Sequence, residues 1–320
     1  MNGVVPPSAI RITGEDEMTN LLLLLACLLA GMALRRSGRV GVQGHLALNA
    51  VIVHIALPAV ALRSLHAMAF DASQIWPVLM PWLLFGLGFV VFAVLGRRLA
   101  LSQASIGALI LVCGLGNTSF VGLPMIETLH GRDGLGLGLL IDQFGSYLVL
   151  STIGIFVVTL YAAQARPSPR AMAIKILSFP PLIGVAVAIA LRPVSFPSEL
   201  DAALARLGDM LAPLALLSVG MQLRLDALRE QCRALCLGLG YKLLVCPAIV
   251  LVIVLAREGR FGMAGHVSLI EAAMPPMIGA GIVATQADLD PHLVSTLIGV
   301  GIPIGLLVAP LWSWGLGLLS

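Results

Sequence analysis

Long stretches of this chain contain no Asp, Glu, Lys or Arg, and that spacing of charge decides what it can fold into. Ten such runs succeed one another: Met18–Leu34, Val40–Leu62, Ala72–Gly96, Leu99–Ile126, Gln143–Ala165, Ile176–Leu191, one around Met210–Leu223, Leu243–Ala256, one through Ala272–Ala287, and Pro291–Ser320. About 20 apolar residues in a helix cross the hydrocarbon of a bilayer. Inside lipid every backbone polar group must be bonded within the protein, so only helices and closed barrels span it. These runs are too long and too uniformly apolar for barrel strands. The expected fold is an all-α polytopic membrane protein.

Composition points the same way. Of 320 residues, 59% are apolar and 11% charged, against about 45–50% and about 25% in a soluble domain. A soluble fold could not cover its exterior with so few polar groups. A soluble enzyme and a disulfide scaffold are excluded. The net charge of +3 offers no basic surface for nucleic acid. The five cysteines read as small buried hydrophobes. Cys232 and Cys236 would share a helix face, but no histidine near them suggests a metal site, and no cofactor is implied. Glu15, Asp16 and Glu17 precede the first run, where a secretory signal would carry basic residues. That first span is expected to be retained.

Orientation follows the loops that hold Lys and Arg. Arg35, Arg36 and Arg39, then Arg97 and Arg98, then Arg166, Arg170 and Lys175, then Arg224, Arg229 and Arg233 all fall after odd-numbered spans. These outnumber the basic residues on the other side, so both termini are expected to be extracytoplasmic. The chain divides into an extracytoplasmic segment (1–17), a first five-helix repeat (18–162), a Pro-rich cytoplasmic linker (163–171) and a second repeat (172–320).

Two similar units of five spans must insert with opposite orientation, which is the inverted repeat of many secondary transporters. Leu123-Pro124-Met125-Ile126 in the fourth run pairs with Pro275-Pro276-Met277-Ile278 in the ninth. Pro58 in the second pairs with Pro213 in the seventh, and the two offsets agree within three residues. Helix breakers gather at matching places: Gly114, Gly116, Asn117, Gly122 and Pro124, then Pro275, Pro276, Gly279 and Gly281. Proline removes a backbone donor and clashes with the preceding turn. An interrupted helix therefore exposes N–H groups at one end and carbonyls at another. In the membrane these ends attract anions and cations respectively.

The string Gly116-Asn117-Thr118-Ser119-Phe120-Val121-Gly122-Leu123-Pro124 resembles the auxin efflux carrier family, which includes bacterial malonate and malate permeases. Glu271-Ala272-Ala273-Met274-Pro275-Pro276, Leu48-Asn49 with Ala56-Leu57-Pro58, and Asp290-Pro291 agree in order and spacing, and the likeness runs from about residue 18 to 315. The resemblance implies ten helices in a 5+5 inverted repeat of the bile-acid-symporter and sodium/proton-antiporter type. Broken helices four and nine would cross in a core that moves against a scaffold. It places Asn117 at the substrate carboxylate, and Pro124 and Pro275 at the crossover. Plant members have Gln where Pro276 stands, and several bacterial relatives have Asn or Thr at Gly279 or Ala280, so auxin itself does not carry over. The likeness also suggests a homodimer.

Polar residues within spans are functional candidates by default. Gly116, Asn117, Thr118, Gly122, Pro124, Pro275, Pro276 and Gly279 are the expected substrate-binding set. Asp142, Gln143 and Glu271 are the expected coupling set for a proton or sodium ion, with Ser146 beside them. Asp142 reads alternatively as a helix-end carboxylate near Arg132. Glu271 reads alternatively as a cap. Lys242 reads as snorkelling to the membrane face, Asp209 as interfacial, and His54 as a packing histidine. Gly134/Gly138 and Gly301/Gly305 read as helix-packing pairs. His-Glu-x-x-His, Gly-x-Ser-x-Gly and a Gly-x4-Gly-Lys loop are absent. The expected function is alternating-access transport of a small mono- or dicarboxylate in a bacterial inner membrane; a channel or sensor of the same fold is the alternative.

Overall fold

The computed structural model describes residues 14–41, 43–68, 71–162, 168–223, 231–258 and 262–317, and these are helical throughout apart from turns. In chain order the helices are α1 (Gly14–Arg36), α2 (Gly44–His66), α3 (Ala72–Arg98), α4 (Gln103–Gly114), α5 (Leu123–His130), α6 (Arg132–Tyr161), α7 (Pro169–Leu177), α8 (Pro180–Ala190), α9 (Ser198–Gln222), α10 (Cys232–Arg257), α11 (Met263–Ala272), α12 (Ile278–Gln286) and α13 (Pro291–Gly317). Six of them, α2, α3, α6, α9, α10 and α13, are long and apolar enough to cross a membrane. The other charge-free runs fall on α1 and on three pairs of shorter helices: α4 with α5, α7 with α8, and α11 with α12. Much of the expected N-terminal segment and linker lies outside the described residues.

Two packing groups are evident. In the first, α1 lies along α9, and α2 packs on α8 and α9. Gly31 and Gly220 let the α1 and α9 backbones touch: a Cβ at either would strike the carbonyl of Leu217 or Leu28. Close approach through small residues is how helices associate in lipid, where apolar burial gives no net drive. In the second, α3 packs on α4 and α6, α4 on α12 and α13, and α11 on α3, α10 and α13. The groups meet where α9 touches the turn Thr118–Gly122 and where α2 touches the start of α6.

Proline shapes the helices locally. The π-helical turns Ile52–Ala56, Thr118–Gly122 and Tyr241–Val245 each end two residues before a proline, Pro58, Pro124 and Pro247 respectively. A proline ring clashes with the carbonyl four residues back, and a wider turn makes room for it. Such turns free carbonyls, and indoles take two of them. Trp312 Nε1 donates to the Leu243 carbonyl, and Trp82 Nε1 to the Phe144 carbonyl in the further π turn Ile141–Tyr147, both at 3.0 Å.

Three expectations need correction. Cys232 and Cys236 are exposed rather than buried, because both face outward from α10; only Cys113 and Cys246 are buried. The fourth run breaks at Leu115–Asn117, within the expected cluster of breakers, whereas Pro124, which the resemblance puts at the crossover, lies further along the half-helix behind the π turn Thr118–Gly122. Lys242 does not snorkel. It is 2% exposed and turned inward.

Candidate functional site

The two interrupted segments cross and bond to each other. Gly116 and Pro276 form an antiparallel bridge, the single β-type pairing among the described residues. Asn117 N–H donates to the Pro275 carbonyl at 2.8 Å, and Met277 N–H to the Val112 carbonyl at 3.0 Å. Breaking a helix in lipid orphans backbone groups, each at a cost of order 1–3 kcal/mol by mutational measures. Here each break satisfies the other, so neither survives alone. The packing glycines expected on α13 serve this joint: a Cβ on Gly301 would meet Pro276 at 2.6 Å, and one on Gly305 would meet Pro275 at 2.8 Å.

Asn117 caps the half-helix that starts at Thr118. Its Oδ1 accepts from Phe120 N–H at 3.4 Å, while its buried Nδ2 has no protein partner among the described residues. The Asp142 carboxylate closes the same turn. One oxygen accepts from Thr118 Oγ1 and, at 2.6 Å, from Ser119 Oγ; the other accepts from Gln143 Nε2 at 2.6 Å. Asp142 is 1% exposed and does not face Arg132, which pairs with Glu127 and Asp209 instead. The helix-end reading of Asp142 is thereby removed.

Glu271, in the last turn of α11, is also 1% exposed, and neither carboxylate oxygen has a hydrogen-bond partner among the described residues. It lies against the bare backbone of Gly122, where a Cβ would collide with it, and beside Gly138. Gln143 Oε1 and Ser146 Oγ are likewise buried without partners. The unpartnered groups at this site are thus mostly acceptors, which suits a proton or a cation.

Lys242 reaches the crossing from α10. Its Nζ donates to the Ala272 carbonyl at 3.0 Å and lies 3.0 Å from where a Gly116 Cβ would stand. The ammonium therefore sits at the carbonyl end of α11, where partial negative charge collects. A buried lysine in a span was the signal available in the sequence; what it lacked was the π turn that rotates Lys242 inward.

The remaining expected residues are placed as follows. Thr118, Gly122, Pro124, Pro275 and Pro276 are buried around the crossing. Gly279 is half-buried on α12, nearest Met277 and Leu150. His54 bonds the Ala50 carbonyl at 2.9 Å and faces outward. Asp209 is half-exposed and paired with Arg132. Asn49 accepts from Ser218 Oγ at 2.5 Å, tying α2 to α9 within the first packing group.

Comparison with known proteins gives consistent matches. The model of a family described as membrane transport protein matches residues 18–313. An uncharacterized transporter from Methanothermobacter thermautotrophicus is 27% identical over 299 residues, covering 92% of this chain and 96% of that protein. An uncharacterized transporter from Methanocaldococcus jannaschii is 26% identical over 308 residues, covering 93% and 98%.

Proposed function

Because the chain belongs to the membrane transport protein family, the auxin efflux carrier family whose motifs it carries, we propose that it is a secondary carrier of a small organic anion. It is an integral membrane transporter, and the family and its relatives are transporters rather than enzymes. The observation that carries the substrate reading is the crossing itself, with Asn117 Nδ2 buried and unpartnered at the head of a half-helix.

The anion binds where donors converge. Asn117 Nδ2 and the leading N–H groups of the turn at Thr118, which a helix does not use internally, take the carboxylate. Pro124, Pro275, Pro276 and Gly279 shape the space around it, and Gly116 and Gly122 admit close neighbours. Asp142 and Glu271 carry two negative charges against the one ammonium of Lys242. Uncompensated buried charge costs several kcal/mol, so the site takes up one further positive charge, a proton or a sodium ion, before the anion arrives. Gln143 assists by holding Asp142.

The layout we propose is ten spans as a 5+5 inverted repeat. In it α4 with α5 forms the fourth span and α11 with α12 the ninth, supported by the matched breaks at Gly116 and Pro276. The group of α1, α2, α8 and α9 stands still while the other rocks past it, exposing the crossing alternately. In this layout both termini lie outside a bacterial inner membrane, a reading that the distribution of Lys and Arg supports.

The test is uptake into proteoliposomes of purified protein against a panel of mono- and dicarboxylates. Saturable uptake accelerated by unlabelled substrate on the opposite side supports a carrier. Unsaturable, unaccelerated flux contradicts it.

A further inference from the structure

A cavity lies beside the crossing, lined by residues that the proposed transport site does not use. It has a volume of about 540 Å³ and opens between the two packing groups, walled by the ends of α1 and α9, the length of α12 and the beginnings of α2 and α13. Its polar lining is Arg35, His45, Gln222, Gln286, His292 and the hydroxyls of Thr285, Ser295 and Thr296, and no Asp or Glu lines it among the described residues. In a chain whose acidic residues nearly match its basic ones, 16 against 19, a cavity with an arginine and no carboxylate selects anions.

Arg35 is held in place. Its Nη1 donates to the Met221 carbonyl at 3.0 Å and to the Leu223 carbonyl at 3.2 Å, fixing the guanidinium against the end of α9. A guanidinium presents five donors in a planar fork suited to a carboxylate, so anchoring through one nitrogen leaves capacity for a ligand. Much of the remaining lining is apolar, with Ile278, Ile282, Val294 and Ile298 contributed by α12 and α13. Ile278 follows directly on Met277, whose N–H closes the crossing, so the cavity floor adjoins the transport site.

We infer that this cavity is a capture site for a singly charged carboxylate with an apolar body, bound by Arg35 before it moves to Asn117. One permanent cation complements one carboxylate, and the isoleucine wall accepts the rest of the molecule. The inference rests on the carrier reading. Because the walls come from both packing groups, the cavity closes when they rock, so the site faces one side of the membrane. By the distribution of basic residues that side is the cytoplasm.

The test uses full-length protein with hexanoate and succinate as probes, reading equilibrium binding and proteoliposome transport separately. Hexanoate is expected to bind more tightly than succinate. Arg35→Gln raises its half-saturation about tenfold, equivalent to about 1.4 kcal/mol. Ile282 is 44% exposed, so Ile282→Glu places a repelling charge in the cavity without disturbing the core, and it raises half-saturation similarly. In Asn117→Ala, binding persists while transport falls at least about tenfold. Hexanoate transport and binding indifferent to both Arg35→Gln and Ile282→Glu overturn the capture site and leave the carrier standing. Tighter binding of succinate overturns the ligand class. Absence of saturable transport for every carboxylate overturns the carrier reading and the capture site with it.

Discussion

The Lys242 ammonium donates to the Ala272 carbonyl over 3.0 Å, linking the inward π turn of α10 to the last turn of α11. This puts a covalently attached cation at the carbonyl end of a broken helix, the place where transporters of this kind hold a coupling ion. Glu271 belongs to the same turn of α11, so the two charges answer to each other.

A double-mutant cycle measures that coupling. Lys242→Met, which keeps the stem and removes the charge, lowers the initial uptake rate at least about tenfold, as loss of a charged partner in a buried network does. Adding Glu271→Gln restores part of the rate, because the uncompensated carboxylate is gone. Purely additive losses would show that Lys242 and Glu271 act independently.

A charge count applies to the crossing before the anion arrives. With Asp142, Glu271 and Lys242 as the only acidic or basic side chains placed at the crossing among the described residues, one added positive charge balances the anion-free site. Binding of the coupling ion to anion-free protein, plotted against proton or sodium concentration, is expected to follow a Hill coefficient of one. Asp142→Asn flattens that dependence. A coefficient near two, or an unaltered profile in Asp142→Asn, contradicts the count.

Gly305 separates packing from generic helix effects. Gly305→Ala presses a methyl on Pro275, 2.8 Å away, whose carbonyl takes the Asn117 N–H. Overpacking of this kind costs about 1–3 kcal/mol and lowers the melting temperature. Gly240→Ala, with nothing within 4 Å of the new Cβ, leaves it unchanged or raises it, as alanine is the better helix former by about 1 kcal/mol. Equal effects of the two substitutions in thermal unfolding would show that Gly305 has no special contact.

Arg132 joins the two packing groups by pairing Glu127 of α5 with Asp209 of α9. Half-exposed ion pairs contribute about 0.2–1 kcal/mol, too little to hold the fold but enough to bias two nearly balanced conformations. Arg132→Gln therefore leaves the melting temperature within a few degrees and, with the exposed Cys232 and Cys236 replaced by Ser, speeds thiol labelling of Leu204→Cys, a buried position on the cavity beside this pair. Unchanged labelling would mean that Arg132 does not restrain this face.

Much of this arrangement is legible in the sequence, and the residues show why. The absence of charge marks the apolar runs because lipid forbids charge, and the glycines and prolines mark the broken segments because they weaken helices by local sterics alone. Asn117 and Asp142 are visible as polar residues where polarity is costly. What the sequence does not carry is rotation and crossing. Lys242 and the exposed Cys232 lie on the same helix, and only the π turn before Pro247 and the packing of Trp312 determine which points inward. The exchange of hydrogen bonds between Asn117 and Pro275 is a long-range pairing that no local pattern encodes. Arg35 reads as one of three loop arginines, and its place on a cavity wall follows from how α1 packs along α9.

The proposed role of Asn117, presenting its side-chain donor to the anion at the crossing, is tested most directly by counterflow. Purified wild type and Asn117→Ala are reconstituted at equal density, and carboxylate exchange is followed at substrate well below half-saturation. Asn117→Ala is expected to lose at least about tenfold in exchange, the consequence of removing one charge-assisted hydrogen bond of about 1.5–3 kcal/mol, while its melting temperature falls only by what a lost helix cap of about 0.5–2 kcal/mol accounts for. Exchange by Asn117→Ala at the wild-type rate would contradict the claim.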